Sequence, residues 1–223
     1  MHKLYILLVF LLLSSITLAQ QPKGWLIYFG QSLIGESKFS IHHEVQLRDH
    51  QLFGDHHQSL IRFAGQYRFK PSLQVSLGYG FIYTELEGDP NMPNNEHRIY
   101  QELMLNTPIK KSSIRHRFRT EERFLQSGDF AGRIRYCLFT DLPVSEKGFK
   151  KGGTYLAFYD EIFLNAIKKD EQSVFDRNRL YGGIGYKVSD NLGVQLGYML
   201  QHIRSQKGGN HLLLSFHHQV KWK

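Results

Sequence analysis

In the segment SSIRHRFRTEERFL (residues 112–125), five charged side chains recur at every second position: Arg115, Arg117, Arg119, Glu121 and Arg123. A guanidinium is planar, permanently charged and able to hold a carboxylate or phosphate through two parallel hydrogen bonds. A row of them therefore pairs with carboxylates of its own chain or attracts an anion from outside. Other residues offer thinner chemistry. Ser40, His42 and Glu44 also stand at two-residue spacing, on paper a nucleophile, a base and an orienting carboxylate. Same-face neighbours on one strand lie about 7 Å apart, too far for direct hydrogen bonds without reach. Any polar strand face yields such triplets, so this set supports only a hydrolase alternative, and no catalytic residue is assigned. His50, His56 and His57 share a loop and could gather around a metal, but surface loop histidines are usually solvated, and no metal site is assigned. The doublets His42-His43, His56-His57 and His217-His218 put neighbours on opposite faces of a strand, so they do not chelate there. There is no HExxH, P-loop or dinucleotide fingerprint, so no cofactor is expected.

A spacing of two demands a strand. On the other face of residues 112–125 stand Ile114, His116, Phe118, Thr120, Glu122 and Phe124, so a charged wall is backed by a mostly apolar one. A closed barrel in a membrane needs this pattern, with lipid outside and a polar lumen. The same alternation recurs in about eleven segments with turn residues between them. It gives an inward set of Arg48, Arg62, Arg68, Arg98, Arg115, Arg117, Arg119, Arg123, Arg133, Arg135, Arg177 and Arg179, against Glu44, Glu96, Glu102, Glu121 and Glu161. These residues form either an ion-pair network filling a narrow lumen or, through their excess positive charge, an attraction for small anionic solutes. Gln101 and Asp160 fall on the lipid side as misfits. Ser76, Gly78 and Gly80 make one strand face small enough for neighbours to approach closely. Trp25, Tyr28, Phe69, Tyr83, Phe124 and Trp222 suit aromatic girdles near strand ends.

The chain has 223 residues, room for one domain, and no internal linker or repeat. Residues 1–19 read as a cleaved signal peptide: Lys3, an apolar run from Leu4 to Leu13, and small residues before a cut after Ala19. The apolar run is shorter than the roughly 20 residues of a spanning helix. Residues 20–223 are then the barrel domain, bound for the outer membrane with its lipid as partner. The formal charge of +8 admits nucleic acid as a partner. The arginines, however, sit inside strand patterns and the lysines in turns, and none is expected. Cys137 is the only cysteine, so no intrachain disulfide forms.

Connection lengths bear on the strand count. Single-chain bacterial barrels have even numbers of strands, with short turns on the periplasmic side. Starting the wall at residue 38 gives about ten strands with both chain ends at one mouth, and residues 25–31 (WLIYFGQ) at an edge or in the mouth. The alternative is twelve. The expected fold is thus all-β, a single antiparallel transmembrane β-barrel with an arginine-rich lumen. A soluble periplasmic sandwich or lipocalin-like barrel is the rival, with apolar faces in and arginines out.

Five segments together carry a resemblance: HRFRTEERF (116–124), RIRY (133–136), DEIFLN (160–165), FDRNRLYGGIGY (175–186) and LGYMLQ (196–201). As a set they resemble a family of uncharacterised Gram-negative exported proteins, the domain of unknown function DUF2490, over essentially all of the chain from Trp25 onward. The resemblance implies an outer-membrane, barrel-like fold and brings no activity and no catalytic residue. Asp160 stands where the family pattern suggests Asn. The expected role is a non-enzymatic structural or binding scaffold, with a narrow, porin-like anion-preferring pore as the alternative and a lipid hydrolase as the second.

Overall fold

The structure is a computed structural model and describes residues 22–52, 54–109, 112–167, 173–204 and 206–222. The leader expected over residues 1–19 lies outside them, as does part of the loop expected over 166–176. Eleven strands follow one another: β1 (Lys23–Ile34), β2 (Phe39–Asp49), β3 (His56–Lys70), β4 (Leu73–Thr84), β5 (Asn94–Ile109), β6 (Ser112–Leu125), β7 (Phe130–Pro143), β8 (Thr154–Ile167), β9 (Phe175–Lys187), β10 (Leu192–Ile203) and β11 (Gln206–Trp222). Each pairs with its neighbours in sequence, and β1 pairs with β11 to close a barrel. Strand lengths run from 11 to 17 residues, at or above the roughly 9–11 that a tilted strand needs to cross a bilayer. Turn chemistry separates them. Gly128, at φ +83°, sits in the β6–β7 turn in a backbone region that side chains disfavour. In the β9–β10 turn the Ser189 hydroxyl accepts from the backbone N–H groups of Asn191 and Leu192, at 3.3 and 3.0 Å.

The count of about ten strands, with twelve as its alternative, is corrected to eleven, and the wholly antiparallel sheet to a mixed one. Residues 25–31 belong to a longer strand that takes full part in the wall. It runs antiparallel to β2 and parallel to β11, from Lys23↔His211 to Ile34↔Trp222. Hairpin-linked strands alternate in direction, so the first and last of an odd set run the same way and meet only as a parallel pair. For the same reason the chain enters β1 at one mouth and leaves β11 at the other, and the expectation of both ends at one mouth fails. A clasp crosses the seam. The backbone N–H of Gly35 donates to the Trp222 carbonyl at 3.0 Å, and the Lys221 ammonium lies 2.6 Å from Glu36. That ammonium holds the Glu36 carboxyl below the usual carboxylate range.

The pleat sorts the side chains. Leu26, Ile41, Phe63, Leu77, Ile99, Phe118, Ile134, Phe158, Leu180, Ile184 and Leu196 stand exposed around the outside. Arg62, Glu102, Arg119, Glu121, Arg135 and Glu161 are buried inside. The rival arrangement, with arginines out, is thereby excluded. The interior has two halves. Against the charged half formed by β2 to β8 stands an apolar cluster of Trp25, Ile27, Tyr155, Ala157, Tyr181, Met199 and Leu213 from β1 and β8–β11. Trp25 is therefore an inward residue, not part of a girdle; the pleat of β1 points it at the lumen opposite Leu213 and Arg48.

Tyrosines fill the interior by lying over glycines of the next strand. A Cβ at Gly78 would overlap the Tyr100 ring, and one at Gly197 the Tyr181 ring. The small face of β4 is thus the seat of an aromatic from β5. Gly197→Val is expected to force the Tyr181 ring out of its place and lower stability by about 1–3 kcal/mol. The measurement is the denaturant midpoint of the refolded protein, and an unchanged midpoint would contradict the packing.

The two misfits are outward, as alternation places them, and each is paired along the wall. Thr120 Oγ1 donates to Gln101 Oε1 at 2.5 Å, and Asn178 Nδ2 to Asp160 Oδ1 at 2.5 Å. His116 with Tyr136 (2.9 Å) and Tyr28 with His218 (3.1 Å) form similar outward pairs. Cross-strand pairing lowers the cost of a polar group on an apolar surface.

Candidate functional site

Strand β6 is the spine of the charged half. Its inward positions meet β5 as Arg123↔Arg98, Glu121↔Tyr100, Arg119↔Glu102 and Arg117↔Met104. They meet β7 as Arg119↔Arg135 and Glu121↔Arg133. Two of these pairs set arginine directly against arginine, which is destabilising unless a carboxylate stands between. One does in each case. Glu96 lies 2.5 Å from both Arg98 and Arg123. Glu121 lies 2.5 Å from Arg135, 3.6 Å from Arg98 and 3.7 Å from Arg119. Glu161, on β8, takes Arg117 and Arg135 at 2.6 Å each. Glu102 takes Arg119 at 2.5 Å and Arg117 at 3.8 Å. A carboxylate offers about four acceptor positions, so one serves two or three guanidiniums. Five arginines and four glutamates are thereby joined in one network. Its centre is almost dry, with Arg119 4 % exposed and Glu121 3 %, while Arg98, Arg117 and Arg123 are half-buried. Arg119 and Arg135 also lie over the rings of Tyr100 and Phe163, at 4.5 and 4.4 Å.

The remaining inward residues stand apart from this network. Arg62 pairs with Glu44 at 3.2 Å, and Glu44 also accepts from Gln46. Arg115 pairs with Asp141 at 2.5 Å. Arg133 and Arg177 share Asp176, at 3.0 and 2.9 Å. Arg48 and Arg179 hydrogen-bond to neutral amides, Arg48 to Gln46 and Gln58 and Arg179 to Gln201. Arg68 is corrected. Its position has the inward parity, but it lies exposed at the mouth where β3 ends, beside Ser40 and Lys221, outside the network.

Two carboxylates escaped the sequence reading. Asp141 continues the inward parity of Arg133, Arg135, Cys137 and Phe139 near the end of β7. Asp176 has the wrong parity for an inward residue. A register shift between Phe163 and Leu164 in the β8–β9 pairing leaves it as the extra residue beside Arg177, and alternation cannot follow a bulge.

The triplet Ser40, His42, Glu44 is only partly assembled. His42 Nε2 lies 3.2 Å from Glu44, but the Ser40 hydroxyl donates to Gln66 Oε1 at 3.1 Å, away from the histidine. Of the loop histidines, His57 Nδ1 and His50 Nε2 come within 3.0 Å, while His56 turns to Asp49 and Ser59. Among the described residues no three histidine, cysteine or acidic side chains gather in a metal-holding group. The doublets do split across the wall. His42 faces Glu44 inside, and His43 lies outside, its Nε2 3.2 Å from the Ser32 hydroxyl.

The chain matches the family model described as protein of unknown function DUF2490 over residues 23–211, from the first residue of β1 into β11. No curated protein and no solved structure matches it. A wall of eleven strands around paired charges is thus the form taken here by a member of that family, and the chain belongs to DUF2490.

Proposed function

We propose that this chain is an outer-membrane β-barrel whose lumen is filled by its own ion pairs, and that it acts as a scaffold for the loops at its mouths rather than as an open conduit. One observation carries the reading: the wall is inside out for a water-soluble protein. Large apolar side chains such as Leu77, 62 % exposed, and Phe63 ring the outside, while guanidiniums and carboxylates are buried. Soluble monomers rarely expose contiguous apolar patches above a few hundred Å². Hydrocarbon around such a belt removes the penalty, and a closed ladder leaves no strand edge unpaired in lipid. The expected leader supplies the route of export. On this reading the protein fractionates with membranes and needs detergent for release. The unboiled barrel then migrates apart from the boiled chain in detergent gels. Recovery in the soluble fraction after lysis would refute it.

A narrow anion-preferring pore is the second reading. It is favoured by the excess of inward arginines over carboxylates, even with Asp141 and Asp176 added. Planar bilayer recording separates the two. The scaffold gives no steady conductance, and the pore gives an anion-selective one.

A further inference from the structure

Among the described residues, nine of the twelve inward arginines have a carboxylate within ion-pair distance. Arg68 is exposed to water. The other two, Arg48 and Arg179, are both 8 % exposed, and both lie over the same indole, with their guanidinium carbons 3.9 and 5.0 Å from the Trp25 ring. Their hydrogen-bond partners are Gln46, Gln58 and Gln201, all neutral. Arg179 spends one N–H, from Nε, on Gln201 at 2.7 Å. His211, on β11 opposite Lys23, packs edge-on against the same indole with centroids 4.9 Å apart. It is 3 % exposed, and its Nδ1 has no partner. The place lies just inside the mouth where β1 begins and β2 ends.

An aromatic face attracts one cation modestly and does not neutralise two. Among the described residues every other buried inward arginine has a carboxylate at ion-pair distance. Arg48 has none, and Arg179 stands opposite Glu161 in the β8–β9 ladder without reaching it, the Glu161 carboxylate being taken by Arg117 and Arg135. Both lie next to an unsatisfied imidazole nitrogen. We propose that Trp25, Arg48, Arg179 and His211 form a binding site for a small oxyanion, a carboxylate or phosphate group, that enters from this mouth. The two Nη groups of Arg179, with the remaining Nη hydrogens of Arg48, whose Nε and Nη2 already hold Gln46, supply the hydrogen bonds, the imidazole a further polar contact, and the indole a floor. The site depends on the inward face of the wall and not on what surrounds the barrel. Its failure therefore leaves the membrane reading standing, and a barrel found in solution would leave the site intact.

The chain has two tryptophans, so Trp222→Phe leaves Trp25 as the sole tryptophan, excited selectively over the tyrosines at the red edge of the indole band. That protein, purified and refolded in detergent, is titrated with inorganic phosphate, malonate and chloride at constant ionic strength. The expected result is a saturable emission change with phosphate or malonate and none with chloride. The stronger of the two oxyanions tells which headgroup the site prefers. Arg48→Gln and Arg179→Gln each weaken the response at least tenfold, while Arg68→Gln at the opposite mouth leaves it unchanged. The bound oxyanion also raises the temperature at which the unboiled form converts, and it does not do so in the double variant. Where a glutamine variant does not fold, Arg48→Lys and Arg179→Lys keep the charge and lose the fork, and are expected to show the same tenfold loss. No saturable response to either oxyanion overturns the proposal. So does a response that survives in the glutamine double variant or in both lysine variants.

Discussion

Replacing Glu121 by glutamine is expected to destabilise the barrel by about 3–5 kcal/mol, the scale for removing one partner of a buried ion pair. The carboxylate is the hub of the network. Arg135 touches it at 2.5 Å, Arg98 and Arg119 lie within 3.7 Å, and almost no water reaches it. Glutamine keeps the shape and removes the charge, so three guanidiniums face one another across β5, β6 and β7 with only their outer partners Glu96, Glu102 and Glu161 left to offset them. The penalty comes from the lost attraction together with the repulsion among three buried cations that no longer share a central carboxylate. Coupling Glu121→Gln to Arg135→Gln should therefore recover part of the loss, which a merely steric defect would not. Urea unfolding of the refolded protein in lipid vesicles measures both changes. A single variant within about 0.5 kcal/mol of the parent would mean that the interior is wet enough to screen its charges.

The second large effect tests the outside of the wall. Leu196 stands on β10 between Ile184 and Leu214 of the flanking strands, half exposed and ringed by apolar neighbours. If this belt meets hydrocarbon, Leu196→Arg costs about 2–4 kcal/mol near the bilayer midplane. In a barrel surrounded by water the same change falls within about 0.5 kcal/mol. The two surroundings thus differ severalfold on one substitution that touches no packing contact inside. Comparing folding into vesicles with folding in detergent, with Leu196→Ser as a size control, gives the answer. An indifferent Leu196→Arg would leave the apolar belt without hydrocarbon to face.

Much of this was legible because a strand has a period of two. Alternation alone placed Arg119, Glu121 and Arg135 on one side and Phe118 and Ile134 on the other, and closed hairpins turned that into inside and outside. What alternation cannot supply is the identity of the neighbour. The spacing in residues 25–31 marks a strand but says nothing of its direction relative to the last one. A rule drawn from even-numbered barrels then removed it from the wall. Parity also fails where the ladder slips, and there Asp176 was missed. Trp25 was misread because an aromatic near a strand end suits a girdle and a lumen floor equally, and only the register with Leu213 and Arg48 decides. The contrast between arginines bonded to carboxylates and the two bonded to amides is invisible in sequence. It depends on distances across three to five strands.

The parallel seam fixes something about labelling and engineering. Lys23 and Trp222 lie at opposite mouths, a full strand length apart. In a bilayer, an epitope fused before β1 and one fused after β11 would be reached by antibody or protease from different compartments, so a tag at either end reports its own side only. Circular permutation, tolerated where two ends lie close together, would here need a linker threaded through a lumen already occupied by side chains.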